Sequence, residues 1–296
     1  MDNMTAKVSC FARAYHYRNN LVHVFADPFA VRFLSDDYEQ IAQSMSQGVG
    51  FFLPGFEGTP EEGLRLIVER QLAPSVLGRS AFCEAMLEQE KKQGCRQYVI
   101  FAAGYDTYAL RNRDPELIIY ELDLPEMIAD KLARTERTGK KPGAIYVPCD
   151  LSEASWTEKL LEHGFRRYEK SFCSLLGISY YLEKEAFRAL LKAMSDLLCE
   201  GSSVCFDYPS VEDSRETKTN EALAQGAGEP MKARYDRREL EALLEECGFS
   251  VTDHPDHDEM TTRYFSAYNE SAPGHRMEAP HGVCYVLAVK KTGEAS

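Results

Sequence analysis

From residue 97 onward, short apolar runs bounded by glycine, proline or acidic residues alternate with stretches whose apolar positions recur at helical spacing. The runs predict strands at 98–102, 117–122, 144–148, 171–176, 202–208, 249–253 and 283–290. The intervening stretches predict helices at 125–137, 155–163, 184–198 and 237–247. Such alternation predicts an α/β fold with a doubly wound, mostly parallel seven-stranded sheet and helices on both faces. The last two strands, joined by a long connection, are expected to form an antiparallel edge.

The first 93 residues read differently. Residues 5–34 have helical spacing, with Asp27-Pro28 as a helix-start signal. Residues 48–60 are rich in breakers and read as a loop that presents Phe51, Phe52 and Phe56 to a pocket. Residues 61–93 read as helices interrupted near Pro74 and ended by Gly94. The expected organisation is an N-terminal helical cap over 1–93 and a core domain over 94–296.

With 296 residues, 44% of them hydrophobic, the chain can bury a full-sized core. Its 47 acidic and 34 basic residues give a formal charge of −13, and there is no Lys/Arg run. That balance argues against nucleic acid and anionic membrane as partners. The nine cysteines are scattered without a CxxC pair and read as buried, reduced thiols. No apolar run approaches membrane-span length and the start has no apolar signal core, so a cytoplasmic protein is expected. His254 and His257 sit in an acidic stretch that reads as an exposed loop, and no metal site is expected.

The chemistry concentrates at strand ends. The run Tyr98 to Phe101 opens into Ala102, Ala103 and Gly104, followed by Asp106, and the next run ends in Glu121 and Asp123. This is the plan of a nucleotide-type cofactor site on two neighbouring parallel strands. Small residues admit the cofactor to the backbone, and an acid on the second strand can accept ribose hydroxyls. Strand alternation puts Glu121 and Asp123 on one side, and Asp123 is the preferred acceptor. A dinucleotide fingerprint would need three glycines where only Gly104 stands, which argues against a pyrophosphate cradle. Asp150 and Leu151 close the third strand, where an acid and an apolar residue suit an adenine ring. Ser179, Tyr180 and Tyr181 follow the fourth strand at the same rim.

This ordered series resembles the leucine carboxyl methyltransferase family, S-adenosylmethionine-dependent O-methyltransferases that include bacterial enzymes acting on small-molecule carboxylates. The resemblance is carried by Thr5-Ala6, Ala12-Arg13-Ala14, Asp27-Pro28-Phe29-Ala30, Arg79 before Phe82, residues 97–111 and 121–126, Asp150-Leu151, and Gly177 with Tyr181-Leu182. It implies a Rossmann-like methyltransferase fold. It also implies that S-adenosyl-L-methionine is bound by Arg13, Arg79, Ala102, Ala103, Gly104, Asp106, Glu121, Asp123, Asp150, Leu151 and Gly177, with Arg79 gripping the cofactor's carboxylate. The chain departs from the family pattern at Ala102, where glycine is usual, at Tyr108, where arginine is usual, and at Leu176, where glutamate is usual.

Methyl transfer to a carboxylate is an in-line displacement that needs positioning and water exclusion more than acid–base groups. The acceptor implied is a small-molecule carboxylate, ahead of a protein carboxyl terminus. Tyr181, Arg263 and Tyr264 are the candidates to clamp it. Two other classes remain open at this point: a non-catalytic S-adenosylmethionine-binding protein and a nicotinamide-dependent oxidoreductase. The sequence does not indicate an oligomeric state.

Overall fold

The computed structural model describes residues 4–212, 215–226, 228 and 230–292. Its strands are β1 (Gln97–Phe101), β2 (Ile118–Asp123), β3 (Ile145–Pro148), β4 (Ser171–Leu175), β5 (Ser203–Pro209), β6 (Phe249–Asp253) and β7 (Val283–Lys290). They form one sheet in the order β3-β2-β1-β4-β5-β7-β6. Strands β1 to β5 are parallel, while β7 runs antiparallel to both β5 and β6. The last two strands therefore pair antiparallel as expected, with β7 inserted between β5 and β6 and β6 at the edge. Burial follows this order. Every residue of β1, β4 and β5 is buried, as helices on both faces require, whereas edge strands β3 and β6 are partly exposed.

In chain order the helices are α1 (Met4–Asn19), α2 (Ala30–Leu34), α3 (Asp37–Gln47), α4 (Val49–Phe52), α5 (Pro60–Ile67), α6 (Ala73–Lys92) and α7 (Tyr108–Arg111). There follow α8 (Pro125–Arg137), α9 (Trp156–Glu162), α10 (Lys184–Leu197), α11 (Arg215–Gly226), α12 (Arg237–Glu246), α13 (His257–Met260) and α14 (Ser266–Ser271). Local chemistry sets several starts. Pro125 occupies the first turn of α8, where a missing N–H costs nothing, and Asp236 with Glu239 forms a capping box on α12. On one sheet face the apolar residues of α1, α2, α3 and α6 join Tyr98 and Ile100 in a continuous cluster. On the other face α9, α10 and α12 cover Val99, Phe101, Tyr120 and Leu122.

Three N-terminal expectations are refined. The helical pattern over 5–34 divides into α1 and α2, because Pro28 disfavours helix at the residue before it and Leu21 is left 99% exposed. The segment 48–60 holds the short α4 before its loop. The interruption near Pro74 is a π-helical turn, Val68–Leu72, after which Pro74 stands in the first turn of α6, where its missing N–H costs little. The exposed-loop reading of His254 is overturned. Its ring is buried, its Nε2 lies 2.8 Å from the Tyr208 hydroxyl, and its Nδ1 lies 2.8 Å from a Glu241 carboxylate oxygen. Both nitrogens are satisfied, so a neutral imidazole can leave water, and burial lowers its pKa.

Candidate functional site

A cavity of about 670 Å³ opens above the carboxyl ends of the strands, beside the point between β1 and β4 where strand order reverses. Its floor is the turn after β1. Ala103 N–H donates to the Leu122 carbonyl (3.1 Å) and Asp106 N–H to the Ala103 carbonyl (2.8 Å), which folds Ala102 to Asp106 into a tight turn beneath the cavity. Ala102 holds a φ of +47°, a left-handed conformation that strains a residue carrying a Cβ. Asp123, at the end of β2, accepts the Gly104 N–H on one oxygen (2.7 Å) and the Leu124 N–H on the other (2.8 Å). These bonds aim the carboxylate at the cavity it lines.

Glu121, on the same side of β2, is placed differently. It is fully buried and its carboxylate lies 2.6 Å from the Lys131 ammonium, away from the cavity lining. Burial pushes its pKa up to about 7, against the opposing pull of Lys131. Asp106 lines the cavity and caps the next turn by accepting Tyr108 N–H at 2.7 Å.

Helix α1 forms a side wall through Thr5, Ala6, Ser9 and Arg13. Arg13 donates to Asp27 (2.9 Å) and to the Tyr105 carbonyl (2.6 Å), pinning α1 against the cofactor turn. Asp27 is wholly buried and also accepts the Thr107 hydroxyl (2.7 Å) and the N–H groups of Phe29 (3.2 Å) and Ala30 (3.1 Å). Burial alone would raise its pKa. Arg13, Arg111 and these hydrogen bonds overrule that and hold it below the usual carboxylate range.

The opposite wall comes from α6 and the end of β4. Arg79 donates to Asp207 (3.4 Å) and to the Ser9 hydroxyl (3.2 Å). Its guanidinium lies over Gly177, where an added Cβ would sit 2.7 Å from Arg79 Nη1. Gly177 also has a φ of +70°, so glycine is needed there for both space and backbone. Tyr181, in the turn Ser179–Tyr181, lines the cavity, as do Leu176, Met45, Phe52 and Val76. Lys232 stands at its exposed mouth, its N–H bound to the Tyr180 carbonyl at 2.7 Å. Its ammonium has no partner among the described residues.

Other expected site residues lie elsewhere. Asp150 accepts the Ser152 N–H (2.8 Å) and hydroxyl (2.7 Å), and neither it nor Leu151 lines the cavity. Arg263 is bound to both Asp253 oxygens (3.0 and 2.7 Å), and Tyr264 packs edge-on against Phe82. Both belong to the π-helical turn Thr261–Phe265, outside the lining. Asp207 and Lys232 were not singled out from the sequence. An acid inside the expected strand 202–208 was the available signal for Asp207, since buried strands seldom carry an unpaired charge. No signal marked Lys232.

The strand order, the switch-point cavity, the small-residue turn and the acid at the end of β2 define an α/β protein of the methyltransferase type. The chain belongs to the leucine carboxyl methyltransferase family, whose model matches residues 6–195. YktD of Bacillus subtilis (strain 168), provisionally named an S-adenosyl-L-methionine-dependent methyltransferase, is 31% identical with 98% of each chain covered. A Mycobacteroides abscessus protein with the same provisional name is 30% identical over 74% of this chain and 71% of its own. Among solved structures, a Thermobifida fusca YX protein provisionally named a methyltransferase superposes with a TM-score of 0.58 at 13% identity, covering 97% of this chain and 94% of its own. A Streptomyces avermitilis protein gives 0.57 at 14% identity, covering 83% and 97%. These two likenesses concern the fold.

Proposed function

We propose that this methyltransferase uses S-adenosylmethionine to esterify the carboxylate of a small molecule. The observation that carries the acceptor class is the make-up of the cavity lining. Among the described residues it contains no histidine, and its two acids, Asp106 and Asp123, are already accepting backbone N–H groups. A lining without a free base favours an acceptor that is already ionised, and the unpartnered Lys232 ammonium supplies an opposite charge beside apolar walls. Tyr181 can donate a second hydrogen bond to the same group. Arg263 and Tyr264, the other clamp candidates, would need to leave Asp253 and Phe82 to take part.

The residues present suit the cofactor. Asp123 is placed to accept ribose hydroxyls, the backbone of Ala102 to Gly104 permits close approach, and Arg79 offers a guanidinium to the amino-acid carboxylate. When bound, the cofactor supplies an electrophilic methyl group on a sulfonium. Lys232 and Tyr181 would hold the acceptor oxygen toward that methyl group, and an acceptor already ionised would need no proton removed. Leu176, Met45 and Phe52 exclude water from that path.

The test is incubation with methyl-tritiated S-adenosylmethionine and a panel of aliphatic and aromatic carboxylic acids, phenols and amines, followed by alkaline hydrolysis. Methyl esters release volatile tritiated methanol, and this is the expected product. Label that resists alkali would refute a carboxylate acceptor. Cofactor binding with no transfer to any panel member would favour a non-catalytic binding protein.

A further inference from the structure

Asp207 lies two residues before the end of β5, a strand buried along its whole length, and its side chain has no exposure at all. One oxygen accepts the Gly177 N–H at 2.7 Å. The other accepts the Tyr180 hydroxyl at 2.9 Å and lies 3.4 Å from Arg79 Nη1. Its main-chain carbonyl accepts the Ser179 hydroxyl at 2.7 Å. In the parallel pairing of β4 with β5, Leu175 stands opposite Phe206, so Asp207 is next in register to Leu176 on the cavity wall. A buried carboxylate thus sits behind Arg79, fixed by two short bonds and touching the guanidinium by one long one.

The inequality of these contacts is informative. A charge-assisted N–H···O bond usually closes to about 2.7–2.9 Å, so Arg79 is only loosely tied. Guanidinium has five donors, and Asp207 and Ser9 engage one each. The remaining donors are available to a ligand anion. A second carboxylate brought near Asp207 would be repelled unless a cation stayed between the two, and the Asp207 charge keeps Arg79 at that place over Gly177.

We propose that Asp207 is a positioning residue: it orients Arg79 to grip the carboxylate at the amino-acid end of the cofactor. This rests on the cofactor reading given under Proposed function. Asp207 itself touches no ligand in this account. It acts through the guanidinium and through the Gly177 turn on which the guanidinium lies.

Isothermal titration with two ligands tests it. S-adenosylhomocysteine carries the amino-acid carboxylate, whereas 5′-methylthioadenosine has the same adenosine and thioether without it. Asp207→Asn keeps the shape and removes the charge, and should weaken S-adenosylhomocysteine about tenfold or more while 5′-methylthioadenosine stays within about twofold. In an Arg79→Met background the same change should cost S-adenosylhomocysteine less than about twofold, because the residue through which it acts is gone. Equal weakening of both ligands, or fully additive losses, would overturn the proposal in favour of a purely structural clamp. Should Asp207→Asn not fold, Tyr180→Phe removes one anchor of the carboxylate. It should weaken S-adenosylhomocysteine about threefold and leave 5′-methylthioadenosine unchanged, and parallel losses or no loss would overturn the proposal. Wild-type protein that binds neither ligand removes the cofactor reading itself, and this inference with it.

Discussion

Acidification should loosen the N-terminal helices through His16. This ring is buried within α1, and its Nε2 accepts the Val24 N–H at 3.0 Å. Protonating Nε2 would break that bond and strand a charge in the apolar cluster. Burial, with His23 nearby, accordingly lowers the His16 pKa from 6.5 to about 3. In the unfolded chain the ring titrates near its ordinary value. Below that value the unfolded state binds a proton that the folded state refuses, so stability falls as pH falls. Linkage gives a loss of about 1.4 kcal/mol at pH 5.5 and about 2.7 kcal/mol at pH 4.5 from this group alone. The perturbation is His16→Gln, whose side-chain oxygen can still accept from Val24 but does not titrate. Urea unfolding of both proteins at pH 7.5, 6.5, 5.5 and 4.5 isolates the contribution, because His254, whose pKa burial also lowers, cancels in the difference. The wild-type curve should drop below the variant's by these amounts as pH falls. Parallel curves would refute the argument.

Three further outcomes are expected. Ala102→Gly relieves a left-handed strain of roughly 1–2 kcal/mol against roughly 0.5–1 kcal/mol of added chain entropy, so thermal unfolding should move up by about 2 °C; an unchanged or lower midpoint counts against the strain. Lys131→Met leaves Glu121 buried without its cation and should cost about 3–5 kcal/mol in urea unfolding, while Glu121→Leu combined with Lys131→Met should return to within about 1 kcal/mol of wild type. An unaffected single variant would show that the pair does not hold the sheet at β2. Lys232→Met should raise KM for a carboxylic acid acceptor about tenfold and leave S-adenosylhomocysteine affinity unchanged, and an unaltered KM would remove Lys232 from the acceptor clamp.

The strand and helix pattern of the core could be read closely because local chemistry and tertiary packing agree there. The expected helix over 125–137 and the observed α8 coincide, since Pro125 opens it and the apolar positions keep one face. Strands β6 and β7 likewise match their expected bounds. What escaped was decided by side-chain partners that hydrophobic spacing does not reveal. Nothing near Arg263 in the chain announced that Asp253 would engage it with both oxygens, and nothing near His254 announced Tyr208 and Glu241. Helix α11 was missed for a related reason: its residues are mostly polar, and apolar spacing was the signal being read. The small-residue turn and Asp123 were visible as chemistry at a strand end. The second wall, with Asp207 one strand away from Gly177, was not, because register between β4 and β5 is a property of the sheet.

Asp27 has a consequence in the order of synthesis. Its hydroxyl donor, Thr107, lies 80 residues downstream, and the carbonyl that anchors its companion Arg13 belongs to Tyr105, 92 residues beyond that arginine. At roughly 5–20 residues per second, a ribosome leaves the carboxylate waiting on the order of 4–16 s for Thr107. During that interval α1 is a half-built wall: its Arg13 can already meet Asp27, but the Tyr105 carbonyl and the Thr107 hydroxyl have not yet been translated. Arg111 also lies beyond residue 93. Helix α1 can therefore pack against α2, α3 and α6 as these are made, but its polar anchor to the cofactor turn comes only when Tyr105 has been added.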